Sequence, residues 1–147
     1  SASEVFFAAS TAGRSWRGAI IEAELRAQQR VPAYVYQLNF PSPDDEGRWR
    51  ACHTLDIPLV FNNLDAPGSR TGTTAGAKKV SEMMCDVLIN FARHGKPDHS
   101  AMPLWKPYTL SERTTMIFDV KTRLENDPRS FERQLFAQVP YIQRGTY

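Results

Sequence analysis

The apolar residues of the chain fall into helical stripes and strand-like runs. Val80, Met83, Met84, Val87, Leu88 and Phe91 recur at i, i+3, i+4, i+7, i+8 and i+11, which is one face of an amphipathic helix. Gly95 and Pro97 supply its stop signal. A weaker stripe, Trp16, Ala19, Ile20, Ala23 and Ala27 with charged and amide residues between, predicts a helix of roughly 14 residues. Ser15 would be its N-cap and Val31-Pro32 its end. A last helix is expected after Asn126-Asp127-Pro128, with Asp127 as N-cap, Pro128 in the first position and Phe131, Leu135, Phe136 and Val139 buried.

Between these helices, Ala33 to Phe40 is dense in β-branched and aromatic residues. It predicts a strand, and its near-continuous apolarity predicts burial on both faces. Thr114 to Asp119 predicts a second strand, which Val120 to Glu125 either continues or pairs with as a hairpin. Val5 to Ala9 is a short apolar run, read as a strand end or a packed lead-in, followed by a loop over Thr11 to Arg14. Pro41 to Gly47 is a loop with two prolines, three acids and a glycine. Asn62 to Gly76 reads as a mobile, solvent-facing loop, and Met102 to Tyr108 as an extended segment carrying Trp105. The expected order is helix, strand, loop, loop, helix, edge strands, helix: an α/β pattern with few strands and no internal repeat.

Composition changes this picture little. With 147 residues the chain is long enough for one domain with a real core. The net charge of +2, with both signs interspersed, argues against nucleic acid or an anionic membrane as partner. No apolar run approaches the ~20 residues that span a bilayer, and no secretory leader opens the chain. Cys52 and Cys85 lack metal-type spacing and read as small buried hydrophobes, with a disulfide between them left open. His94 and His99 flank the Gly95-Lys96-Pro97 turn without further ligands, so they read as surface histidines and no metal is expected. Trp49, Trp105 and the aromatics of the first strand read as core.

The candidate chemistry centres on His53. It follows the acidic loop and precedes an apolar segment closed by Asn62-Asn63, a place where a strand would hand over to a loop and where catalytic residues often sit. Position alone is also satisfied by a core histidine bonded to a carbonyl, or by a surface loop histidine. Its surroundings read Ala51-x-His53-x-x-Asp56-Ile57-Pro58-x-Val60-Phe61. Further along stand Phe91-Ala92-Arg93-x-Gly95-x-Pro97, Pro103-x-Trp105-x-Pro107-Tyr108, Met116-x-Phe118 and Asp127-Pro128-Arg129. In this order, and over most of the chain, these words resemble the type-B carboxylesterases, the cholinesterase-like branch of the α/β-hydrolases. The resemblance implies the C-terminal part of an α/β-hydrolase fold: last core strand, histidine loop, packing helices and edge strands, as one partial domain over residues 1–147.

The resemblance further implies a serine esterase in which His53 is the general base of a Ser–acid–His triad. Asp56, one helical turn on, would cap or buttress the loop behind it. Thr54 stands where the family often has glycine, and Leu88 where it often has tryptophan. Thr54, Met83 and Met84 are candidates for lining the ester pocket. No metal or organic cofactor is implied.

The nucleophile is not evident. Gly13-Arg14-Ser15-Trp16-Arg17 has arginine where a Gly-x-Ser-x-Gly elbow needs its second glycine. The triad acid and the glycine-rich oxyanion loop are not evident either. The expected partners are therefore an ester substrate and an upstream part of the same enzyme carrying the serine, or self-association through an exposed sheet edge. Fragment, nicked enzyme and truncated product are equally compatible, and the isolated chain is expected to be inactive. The alternative is a non-catalytic α/β-hydrolase remnant acting as an interaction module. A self-sufficient hydrolase built on Ser15, His53 and Asp56 has the least support. Compartment and ester identity stay open.

Overall fold

The computed structural model describes residues 1–142, which divide into two compact units. The first comprises Ser1–Ala33, Pro107–Thr114 and the chain from Asn126 onward. Its N-terminal helices are nearly continuous: α1 (Ala2–Thr11), a π-helical turn (Ala12–Trp16) and α2 (Arg17–Gln28). The start is set by a capping box. The Ser1 hydroxyl accepts from the Glu4 N–H at 3.3 Å, and the Glu4 carboxylate takes the terminal amine at 2.9 Å. This overturns three expectations. Val5 to Ala9 is helical rather than a strand end, Thr11 to Arg14 is not a loop, and Ser15 lies inside the π turn instead of capping a helix. A π turn absorbs an extra residue without breaking the helix, so Gly13 and Ser15 did not mark a boundary.

The last helix, α5 (Ser130–Ala137), begins later than expected, with Arg129 as its N-cap residue. Asp127 adopts a left-handed φ of 50°. Its carboxylate is taken by the Arg133 guanidinium in bonds of 2.6 to 3.1 Å instead of capping the helix. Nor does α5 bury its apolar side chains. Phe131, Leu135 and Val139 are exposed, and Phe136 is half-buried.

The second unit, Tyr34–Lys106 with Thr115–Glu125, holds the sheet and the main core. Strands β1 (Val35–Leu38), β2 (Thr114–Phe118) and β3 (Arg123–Asn126) form one sheet in the order β1-β2-β3. β1 runs parallel to β2, with Val35 opposite Thr115 and Leu38 opposite Phe118. A parallel pair needs a long crossover, and here the crossover contains α3 (Asp56–Val60) and α4 (Ala75–His94). Every residue of β2 is buried, whereas Tyr36 of β1 is 44% exposed. The expected burial is thus reversed. β2 is central, and β1 has a single neighbour among the described residues.

The Thr74 side chain caps α4 by accepting from the Ala77 N–H at 3.2 Å. Gly95 ends it at φ 68°, a conformation glycine adopts without steric cost, with its N–H on the Phe91 carbonyl. Val80 and Met84 join Phe40, Leu59, Leu64, Ala77, Trp105, Met116 and Phe118 in the core, and Met83 and Val87 pack against it. The far end of the stripe, Leu88 and Phe91, is exposed. The segment 62–76 is no free loop. Leu64 and Thr71 are buried, and the Ser69 hydroxyl donates to the Leu64 carbonyl at 2.6 Å. Cys52 and Cys85 are free thiols, half-buried rather than core. No helix among the described residues is long and apolar enough to cross a membrane.

Candidate active site

The approach to His53 is folded back by a fully buried serine. Ser42 donates its N–H to the Arg50 carbonyl at 2.8 Å and its hydroxyl to the Arg70 carbonyl at 2.7 Å. The same hydroxyl accepts from the Asp44 N–H at 3.2 Å. The loop through Gly72 lies so close that a Cβ there would sit 2.9 Å from Pro43 Cγ. Outside this knot, the Trp49 indole donates to Asp45 at 2.7 Å and carries the Arg70 guanidinium 5.3 Å over its ring. Trp49 is 43% exposed, so unlike Trp105 it is not a core residue.

The chain then runs through a ladder of tight turns. Cys52 N–H reaches the Arg50 carbonyl, Leu55 N–H the Cys52 carbonyl, and Ile57 N–H the Thr54 carbonyl, at 3.0 to 3.2 Å. His53 stands exposed in the middle of this ladder, leading into α3 rather than leaving a strand. Nine non-glycine residues among those described have positive φ, and five of them (Asp45, Glu46, Arg50, Thr54 and Asn62) bracket His53. Left-handed backbone is costly for any residue with a Cβ and most unusual for a β-branched one. Thr54, at φ 69°, is therefore the most strained of them. It occupies the position at which the resemblance to the esterases leads one to expect glycine.

Two contacts fix the helix that follows. At its start, the Tyr36 hydroxyl donates to Asp56 Oδ2 at 3.0 Å. Burial, then the neighbouring Asp56 charge and the hydrogen bond itself, push the Tyr36 phenol up to about 12. Tyr36 therefore stays protonated and a donor at neutral pH. Asp56 is the first residue of α3 and makes no capping bond, so its carboxylate ties α3 to β1. At the other end, the fully buried Ser81 of α4 places its hydroxyl 2.9 Å from both the Leu59 carbonyl and Asn62 Oδ1. Neither Tyr36 nor Ser81 carries a local signal in the sequence. Each pairs with a residue about twenty positions away, and Ser81 interrupts an apolar stripe only as a small polar residue.

Of the candidate pocket residues, Thr54 is exposed, Met83 half-buried, and Met84 only 2% exposed within the core. Among the described residues no carboxylate or hydroxyl bonds the His53 ring, leaving both of its nitrogens open. His99, by contrast, has both nitrogens engaged. Nε2 lies 3.2 Å from the Asp86 carboxylate, and Nδ1 accepts from the Ala101 N–H. His94 is exposed at the end of α4. No group of three His, Cys, Asp or Glu residues that could hold a metal ion occurs among the described residues. An exposed imidazole on a braced turn can accept and return a proton, but needs a nucleophile brought to it.

β1 and β2 form a parallel pair joined by a helical crossover, and His53 stands exposed on a turn within that crossover. The chain belongs to the carboxylesterase family, whose model matches residues 7–136. It is 31% identical over 121 residues to the para-nitrobenzyl esterase of Bacillus subtilis (strain 168), covering 81% of this chain and 24% of that one. It is also 31% identical over 115 residues to liver carboxylesterase B-1 of Rattus norvegicus, covering 74% of this chain and 20% of the relative. A solved structure of PNB esterase superposes with a TM-score of 0.72 at 31% identity, again over 81% of this chain and 24% of that one. The chain thus spans about a quarter of the length of the relatives it matches, and its fold is a portion of the α/β-hydrolase fold.

Proposed function

We propose that this chain supplies the general base of a carboxylic ester hydrolase, and that the base is His53. The observation that supports this reading is the exposed His53 turn, with both ring nitrogens open among the described residues, in a chain of the carboxylesterase family. The nucleophilic serine, the triad acid and the oxyanion donors belong to polypeptide outside these residues. One His53 nitrogen takes the serine hydroxyl proton as the serine oxygen attacks the ester carbonyl. The proton then passes to the departing alcohol, leaving an acyl-enzyme. In the second half His53 takes a proton from water and returns it to the serine as the carboxylic acid leaves. The acid partner holds the other nitrogen and stabilises the imidazolium. Thr54 and Met83 retain surface with which to touch the ester, whereas Met84 acts from the core beneath. β1, with one sheet neighbour, is where further strands of the enzyme would join.

The test is hydrolysis of p-nitrophenyl acetate by native material, followed through gel filtration. His53→Gln is expected to lower kcat by about six orders of magnitude without changing the elution position, and activity should co-elute with a serine-bearing polypeptide. Activity that survives His53→Gln would remove His53 from the mechanism.

A further inference from the structure

The turn that presents His53 has no bond to its own imidazole, so something else must fix where the ring points. The bracing comes from behind. Asp56 is three residues past His53, within the same run of turn hydrogen bonds: Leu55 N–H to the Cys52 carbonyl and Ile57 N–H to the Thr54 carbonyl. The Asp56 carboxylate is held from β1 by the Tyr36 hydroxyl at 3.0 Å. Tyr36 in turn rests edge-on against Phe118 of the fully buried strand β2, with ring centroids 5.7 Å apart. A rigid strand pair is thereby linked through one phenol and one carboxylate to the residues flanking the base.

We infer that Tyr36 is a positioning residue for His53, acting through Asp56 to hold the histidine turn at a fixed distance from the sheet. The inference rests on His53 being the base. Hydrogen bonds to a charged acceptor are among the stronger ones, and a base displaced by an ångström loses rate rather than affinity. A raised phenol pKa, caused first by burial and then by Asp56, keeps the donor protonated throughout the range in which esters can be assayed.

Tyr36→Phe removes only the hydroxyl and keeps the ring against Phe118, so the fold is preserved. In the serine-bearing enzyme that contains this chain, the variant is expected to lower kcat for p-nitrophenyl acetate about tenfold with KM within about twofold. Asp56→Ala should give a similar loss, Asp56→Asn a smaller one because an acceptor oxygen remains, and Tyr36→Phe with Asp56→Ala no more than either alone. A second readout needs no activity. The chain has three histidines, so 13C-labelled imidazole spectra should show the His53 signal shifted or broadened in Tyr36→Phe, with His94 and His99 unmoved. An unchanged kcat, a loss carried by KM, additive losses or an unmoved His53 signal would each overturn the inference. Were His53→Gln to leave activity intact, the base assignment would fall on that result, while the His53 signal would still decide whether Tyr36 holds the turn.

Discussion

Replacing Ser81 by alanine sets two effects against each other, and their magnitudes decide the sign. Ser81 is fully buried on α4, with its hydroxyl 2.9 Å from the Leu59 carbonyl at the end of α3 and 2.9 Å from Asn62 Oδ1. A single hydroxyl proton serves one of these at a time. Without it the Leu59 carbonyl is left with the strained short-range donors at the end of α3, the Phe61 N–H and the Asn62 N–H at a long 3.3 Å. An under-satisfied buried acceptor costs about 2 kcal/mol, whereas alanine is the better helix former by about 0.5 kcal/mol. The net expectation is a destabilisation of about 1.5 kcal/mol. With a urea m-value of about 2 kcal/mol per molar, the midpoint should fall by about 0.7 M at unchanged m. Tryptophan fluorescence is a suitable probe, because Trp105 is 3% exposed in the same core. If helix propensity governed the site, the midpoint would rise by about 0.25 M. A rise, or no change, would refute the claim that Ser81 anchors the helix behind His53.

Two further expectations follow from the same unit and its neighbour. Thr54→Gly relieves a β-branched residue at φ 69°, worth about 1–2 kcal/mol, against the 0.5–1 kcal/mol that glycine's unfolded-state freedom costs, roughly. Its urea midpoint should rise by about 0.3 M, and a fall would show that the turn is not strained at this residue. The phenols of Tyr36 and Tyr108 are each pushed up to about 12, chiefly by burial, with Asp56 adding to the first and Glu24 to the second. The unfolded chain loses these protons near pH 10 while the folded chain keeps them. Stability from both groups is therefore complete below pH 10 and lost as pH rises through 12. Near-ultraviolet titration should find at least two tyrosines that do not ionise near pH 10; full ionisation there would contradict the burial argument.

Much of the architecture was legible because it is locally encoded. The α4 stripe, its Gly95 stop and the β2 run all carry their signals within a few residues. The misreadings arise where local rules meet a longer-range competitor. Ser15 and Gly13 looked like a helix boundary, but the Ser1–Glu4 capping box had already started the helix and a π turn carries it past both. Asp127 has the chemistry of an N-cap, yet a two-oxygen bond to Arg133 draws its carboxylate away. The Ala33–Phe40 run is apolar enough for a strand buried on both faces, but its tyrosines need a polar end. Tyr36 finds one in Asp56, which leaves its ring partly exposed. Phe131, Leu135 and Val139 follow a core-facing pattern and are nonetheless exposed, because periodicity identifies an apolar face without saying what covers it.

The three histidines show why the sequence word, rather than the residue type, located the candidate base. His99 is consumed by its own neighbourhood, with a carboxylate on one nitrogen and a backbone N–H on the other. To take a proton on Nδ1 it must first give up the Ala101 N–H. His94 is open but sits at the last position of a helix whose end faces solvent, where nothing orients it. His53 alone combines open nitrogens with a turn tied down from several sides: Ser42 on the incoming loop, Asp56 and Tyr36 at the start of α3, and Ser81 at its end. A triad base needs that combination, because one nitrogen must meet the serine and the other the acid, and both meetings require a ring that does not wander. The left-handed residues around it follow from the same demand. A chain that must reverse sharply to present an imidazole outward, and still seat Leu55 and Leu59 in the interior, has few right-handed conformations to choose from. The strain at Arg50 and Thr54 is offset by the core contacts those leucines make.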